Sequence, residues 1–130
     1  MSDTRFMMVF PLTGSVAANA SEVWDQVVSS PNGAKGLITK ARFMPQTAVT
    51  ADATNNFDLS LEINTTEIAS EQTTSGDTGN LVAGTEITLA LSGDLEIADG
   101  DRITVKKTHA NSGALCEGTV TIEGEWFRAA

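Results

Sequence analysis

Apolar and polar residues alternate with a period of two through most of this chain. Phe57-Asp58-Leu59-Ser60-Leu61-Glu62-Ile63 alternates strictly, which places Phe57, Leu59, Leu61 and Ile63 on one face of a strand. Glu86-Ile87-Thr88-Leu89-Ala90-Leu91 repeats the pattern with Ile87, Leu89 and Leu91 inward. Arg102-Ile103-Thr104-Val105-Lys106 and Thr119-Val120-Thr121-Ile122-Glu123 do the same. Thr fills many outward positions, where its β-branch suits a pleated surface.

Turn residues separate these runs. Asp99-Gly100-Asp101 lies between Ile97 and Ile103 and supplies a residue that tolerates φ > 0. Residues 70–80 hold Gly76 and Gly79 and have no apolar side chain, the pattern of an exposed loop. In the first half, Arg5-Phe6-Met7-Met8-Val9-Phe10 is a nearly continuous apolar run closed by Pro11. Residues 37–44 read as a strand ending at Pro45, and Thr47 to Thr50 as a short strand. One helical signal appears in Ser21 to Val28, where Val23 with Val27 and Trp24 with Val28 have i,i+4 spacing. Two turns at most are expected there. About eight strands with frequent turns predict an all-β domain spanning 1–130, a β-sandwich or barrel with at most one short helix.

Composition narrows what such a domain does. The chain has 130 residues and a net charge of −9. That sign disfavours wrapping a phosphate backbone, so no nucleic-acid partner is expected. No apolar run approaches the roughly 18 residues of a membrane span, and the start, Met1-Ser2-Asp3-Thr4-Arg5, lacks the pattern of a signal peptide. The charge is also uneven. Residues 51–101 hold eleven acids and no Lys or Arg, whereas 1–50 and 102–130 each hold four basic and three acidic side chains. An acidic middle between near-neutral ends is a solvated face, one pole of a polar molecule, or both.

Candidate chemistry is sparse. His109 and Cys116 are single, which removes a disulfide framework and any zinc site built from several such ligands. His109 follows a strand and precedes Asn111-Ser112-Gly113 with no Ser elbow anywhere, so it reads as a surface-loop histidine. Cys116 reads as a structural thiol. Asp94, Glu96, Asp99 and Asp101 cluster, and Asp52 to Asp58 is rich in oxygen ligands. Neither has EF-hand spacing, and turn chemistry accounts for both, so no metal or cofactor is expected. No catalytic residue is assigned, and no enzyme activity is expected.

A more specific pattern runs through nearly the whole chain. It comprises Val9-Phe10-Pro11-Leu12, Val23-Trp24 with Val27-Val28, Ala34-Lys35-Gly36-Leu37-Ile38 and Phe43-Met44-Pro45. It continues through Thr54-Asn55-Asn56-Phe57 to Leu61, Ile97 to Val105 with its Gly100-Asp101 turn, and Gly118 to Glu123. This order resembles the small β-rich head decoration, or cement, proteins of tailed bacteriophages. The resemblance implies a single jelly-roll or Greek-key barrel that assembles as a homotrimer. It would sit on the outer capsid surface of the virion, after synthesis in the host cytoplasm, and clamp the major capsid protein. The alternative is a phage tail, head-fibre or spike component that binds a host surface or carbohydrate.

Interface candidates follow from the residues themselves. Phe6, Met7, Met8, Val9 and Phe10 are too many apolar residues for one face of a terminal strand, which makes Phe6, Met7, Met8 and Phe10 interface candidates. Trp24, Trp126 and Phe127 are aromatic anchors. Lys35, Lys40 and Arg42, or alternatively Lys106 and Lys107, are cations able to meet acidic groups on a shell while residues 51–101 face solvent.

Overall fold

The computed structural model describes residues 5–12, 21–52, 54–73 (backbone only at 71–73), 80–110 and 117–127. Its elements are β1 (Arg5–Leu12), β2 (Ser21–Val27), a 3-10 turn at Pro31–Gly33, β3 (Lys35–Pro45), β4 (Asn56–Ile63), β5 (Thr66–Thr73), β6 (Ile87–Leu89), β7 (Glu96–Ile97), β8 (Arg102–Ala110) and β9 (Gly118–Phe127). Every pairing between these strands is antiparallel. One sheet runs β1-β9-β3-β6, with β7 also on β3; the other runs β2-β8-β4-β5. Successive strands cross from one sheet to the other except at the β4–β5 hairpin and the interrupted β6–β7 segment. This is the eight-stranded order of a jelly roll, with its sixth strand split into β6 and β7. The two sheets form a sandwich, as the alternation predicts, and not a closed barrel.

The predicted inward rows meet in one core. Phe57, Leu59, Leu61, Ile103, Val105, Val120 and Ile122 are all buried, together with Phe10, Ile38, Phe43, Ile68, Leu89 and Ile97. The register explains why: Leu61 pairs with Val105 and Ile63 with Ile103, so both inward rows stack on one face of their sheet.

The helix expected at Ser21 to Val28 is replaced by strand β2. A spacing of four is a multiple of two, so Val23 and Val27 also share one face of a strand. β-branched Val favours that outcome. Pro11 does not close β1, which continues to Leu12. The Val9 carbonyl turns away from β9 to accept Gln26 Nε2 at 2.6 Å. Pro11 has the same parity, so its missing N–H falls on the free edge and removes no ladder bond. The expected loop at 70–80 begins later, because β5 extends to Thr73 opposite Phe57; residues 74–79 lie outside the described residues. In place of the short strand expected at Thr47 to Thr50, a single bridge joins Val49 to Leu81.

The Asp99-Gly100-Asp101 turn forms, with Gly100 at φ 88°, and it fastens one end of the sandwich. The Asp101 carboxylate accepts the Ala98 N–H at 2.8 Å and Asn64 Nδ2 at 3.3 Å. Asn64 in turn accepts the Arg102 N–H at 3.0 Å. The Val28 N–H donates to the Asp101 carbonyl at 2.7 Å, and the Gly100 N–H donates to the Val28 carbonyl at 2.9 Å.

Candidate functional site

The topology sorts the charge found along the sequence. Strands β4 to β7 all come from the acidic block. They supply the β5 edge of one sheet and the β6 edge of the other, and these edges meet where the Ser92 N–H donates to the Ile68 carbonyl at 2.8 Å. The opposite side of the sandwich is made by β1 and β2, tied by the Gln26–Val9 hydrogen bond. There Met7 (59% exposed), Val9, Val23 and Val27 present apolar side chains to solvent.

Several of the predicted interface residues converge on this β1 side. An open groove of about 490 Å³ is lined by Arg5, Phe6, Met7, Thr39, Lys40, Glu123, Gly124 and Glu125. Its shape depends on a β-bulge. The β3–β9 register shifts between Ile38 and Lys40, so Thr39 and Lys40 are both exposed beside Glu123. Its floor depends on Gly124: a Cβ there would lie 2.3 Å from the Phe6 ring and from the Leu37 carbonyl oxygen. Without it, Phe6 lies across β9 and meets Trp126 at 4.5 Å between ring centroids. A second hollow of about 420 Å³ opens between the β1 and β2 edges, lined by Phe6, Met8, Gln26, Val27 and Trp126 among others.

The remaining candidates separate. Phe10 is 1% exposed and belongs to the core, so it offers no side-chain surface to a partner. Phe6, Met8, Trp24 and Trp126 are partly buried against the core, and Phe127 is 42% exposed. Of the cations, Lys35 pairs with Glu96 at 3.2 Å. Arg42 pairs with Glu86 at 3.1 Å and Glu123 at 2.7 Å, and Lys106 pairs with Glu62 at 3.3 Å. Three of these four acids come from the acidic block, which is therefore partly neutralised within the chain. Lys40 is exposed and forms no ion pair among the described residues.

Lys107 and His109 overturn their expected placement. Lys107 is fully buried and His109 nearly so. Both continue the inward row of Ile103 and Val105 along β8, opposite Leu59 and Phe57. The Lys107 ammonium sits 4.8 Å from the centre of the Phe57 ring, a cation–π contact. Sequence alternation lost this row because its last two positions are polar by type. Asp99 and Asp101 lie beyond the opposite end of β8 from His109, on the order of 25 Å away at the strand rise, so no His–carboxylate pair forms there. Cys116 lies outside the described residues.

Asp52 uses its carboxylate locally, accepting the Thr54 N–H at 2.8 Å and the Asn55 N–H at 3.0 Å. The Asn55 and Thr54 N–H groups hold its pKa below the usual carboxylate value. Among the described residues no group of three or more His, Cys, Asp or Glu could hold a metal ion, and no helix is long and apolar enough to cross a membrane.

No family model matches the chain, and no curated protein matches it. Among solved structures, a chain of "Structure of infectious bursal disease virus Gx strain" aligns over 93% of this chain and 29% of its own, at 13% identity and a TM-score of 0.28. A chain of "Structure of infectious bursal disease virus Gt strain" aligns over 99% of this chain and 40% of its own, at 10% identity and a TM-score of 0.15. This chain therefore spans well under half the length of either. At these scores neither alignment carries an argument about function.

Proposed function

We propose that the chain is a non-enzymatic structural protein of a viral particle and, more finely, a decoration or cement protein on the outside of a tailed-phage head, where it binds the major capsid protein. The observation that carries this reading is the division of the sandwich into two sides. One is acidic and suited to face water. The other is near-neutral, with exposed Met7 and Val9 beside a groove that holds Lys40. The resemblance of nearly the whole chain to phage head decoration proteins supports the same reading. Binding many times over one lattice gives avidity from modest single contacts. Exposed aromatic platforms of the kind that hold sugars are poorly represented: both Trp residues are partly buried, and Phe127 is the large exposed aromatic among the described residues. That favours decoration over a spike or fibre.

The test is co-sedimentation with tailed-phage heads that lack the protein. Wild type is expected to reach hundreds of copies per head, and Lys40→Glu to lose most of that occupancy. Lys40 is preferred to Arg42 for this test, because Arg42→Glu would set a third carboxylate beside Glu86 and Glu123 and damage the fold itself. Undiminished occupancy of Lys40→Glu, or only a few copies of wild type per particle, would count against the reading.

A further inference from the structure

We propose that Asn32 is a site of spontaneous covalent change, at which the chain slowly and irreversibly gains a negative charge on the turn between β2 and β3. This inference stands apart from the proposed function and does not rest on it.

Asn32 is followed by Gly33, and both are exposed. The chain turns left-handed here, with Asn32 at φ 52° and ψ 35° and Gly33 at φ 70°. The Ala34 N–H closes the turn on the Pro31 carbonyl at 2.9 Å, which makes it a type I′ turn. The Asn32 side chain forms no hydrogen bond among the described residues. A Cβ at Gly33 would meet nothing within 4 Å, so the approach to the Gly33 nitrogen is open.

Other described asparagines lack this combination. Asn64 shares the left-handed backbone, at φ 60°. It precedes Thr65, however, and both ends of its amide are engaged, by the Asp101 carboxylate and the Arg102 N–H. Asn56 is buried, precedes Phe57 and donates to the Asp52 carbonyl. Asn80 precedes Leu81 and accepts the Ala51 N–H. Asn55 precedes Asn56, and its side chain bonds to Asp52. A side chain on the following residue crowds that residue's nitrogen, and glycine alone leaves it bare.

The reaction needs only water. The Gly33 nitrogen attacks Asn32 Cγ and a bond forms between them. The Cγ–Nδ2 bond breaks, and ammonia leaves with the proton that Gly33 gives up. Water then opens the five-membered imide. Addition at Cγ leaves aspartate; addition at the main-chain carbonyl leaves isoaspartate, whose backbone runs through Cβ. At ψ 35° the Gly33 nitrogen points away from Cγ, so the turn must open before the ring can close. Local opening of this turn therefore sets the pace.

The product meets an acidic neighbourhood. The chain entering the turn is pinned where the Ser30 N–H donates to the Asp99 carboxylate at 2.9 Å, and the chain leaving it where Lys35 pairs with Glu96 at 3.2 Å. Asp94 and Asp101 belong to the same stretch. A carboxylate at position 32 adds to this charge, and isoaspartate also lengthens the turn that the Ala34–Pro31 bond closes. Both changes loosen this end of the sandwich.

Peptide mapping by mass spectrometry, on the folded chain held in mildly alkaline buffer, tests the inference. The fragment with Asn32 is expected to gain one mass unit, with isoaspartate in excess of aspartate, while fragments with Asn56, Asn64 and Asn80 stay unchanged. Unfolding in urea is expected to speed the change several-fold, because ψ is freed. Gly33→Ala is expected to slow it several-fold in urea, where the strain of alanine in the folded turn plays no part. Asn32→Asp is expected to melt below wild type at low salt, with the gap narrowing as salt screens it. The inference is overturned if Asn32 keeps its mass in the folded chain over the time in which the urea-unfolded chain converts. Equal conversion at Asn64 in the folded chain would overturn it, and so would undiminished conversion of Gly33→Ala in urea. Asn32→Asp melting with wild type at low salt would overturn the stated effect on the fold.

Discussion

Along the β1/β2 side, Met7, Val9, Val23 and Val27 stand exposed on strands that carry one cation and two carboxylates. Along the β5/β6 side, β5 exposes Glu67 and the residue before β6 exposes Glu86, half-tethered to Arg42. Beneath them the same core continues: Phe10 from β1 and Leu89 from β6 are both buried in it. The two sides thus differ in what is written at outward positions and not in how they are held. A jelly roll has two pairs of edge strands. Here one pair includes the three-residue β6, while the other leaves Met7, Val9, Val23 and Val27 uncovered.

The comparison breaks first at the core. Phe10→Ala is expected to cost about 3–5 kcal/mol and Leu89→Ala about 2–5 kcal/mol in urea unfolding, whereas Phe127→Ala stays within about 0.5 kcal/mol. A cheap Phe10→Ala would mean that β1 is an arm resting on the sandwich, and that the β1/β2 side is not built like its counterpart. The next effect is smaller. Arg42 links β6 territory to β9 through Glu86 and Glu123, and Arg42→Ala is expected to cost about 0.5–1 kcal/mol at low salt. That loss should shrink in high salt; a salt-independent loss would point to packing by the guanidinium stem instead.

The smallest effect separates acids used locally from acids that only repel. The Asp52 carboxylate is held ionised by the Asn55 and Thr54 N–H groups, so its folded pKa lies below its unfolded one. Its contribution is therefore present above the unfolded pKa and fades as pH falls through the folded one. Asp52→Ala is expected to melt slightly below wild type at neutral pH, with the gap closing in acid below the usual carboxylate range. Thermal melts across that range check it, and a gap that persists in strong acid would remove Asp52 from the local-use group.

Much of this fold is legible in residue order, because a strand half-buried in a sandwich writes its period directly into the sequence. Residues 57–63, 103–105 and 120–122 are examples. The misread places have physical causes. At β2, an even spacing satisfied both a helix and a strand. At Lys107 and His109, the inward row continued through residues whose type signals solvent, and only the register with Leu59 and Phe57 reveals it. The groove was legible in part: Phe6, Met7 and Lys40 are predicted interface residues that do converge. Arg5, Glu123, Glu125 and the bulge at Thr39 were not, since they depend on which strands become neighbours across long stretches of chain.

The bulge at Thr39 also bears on how the chain tolerates change in length. On β3 the inward residues are Gly36 and Ile38, then Ala41, Phe43 and Pro45, so the two sets are out of phase by one position. Thr39 is the extra residue that absorbs the mismatch. Removing it would restore one uninterrupted alternation, with Ile38 and Ala41 both inward and Lys40 alone between them. In that respect β3 reads as a regular strand carrying a single inserted residue. The insertion leaves the core unaltered and is spent entirely on the surface, where it bends the strand and gives Lys40 its place beside the groove.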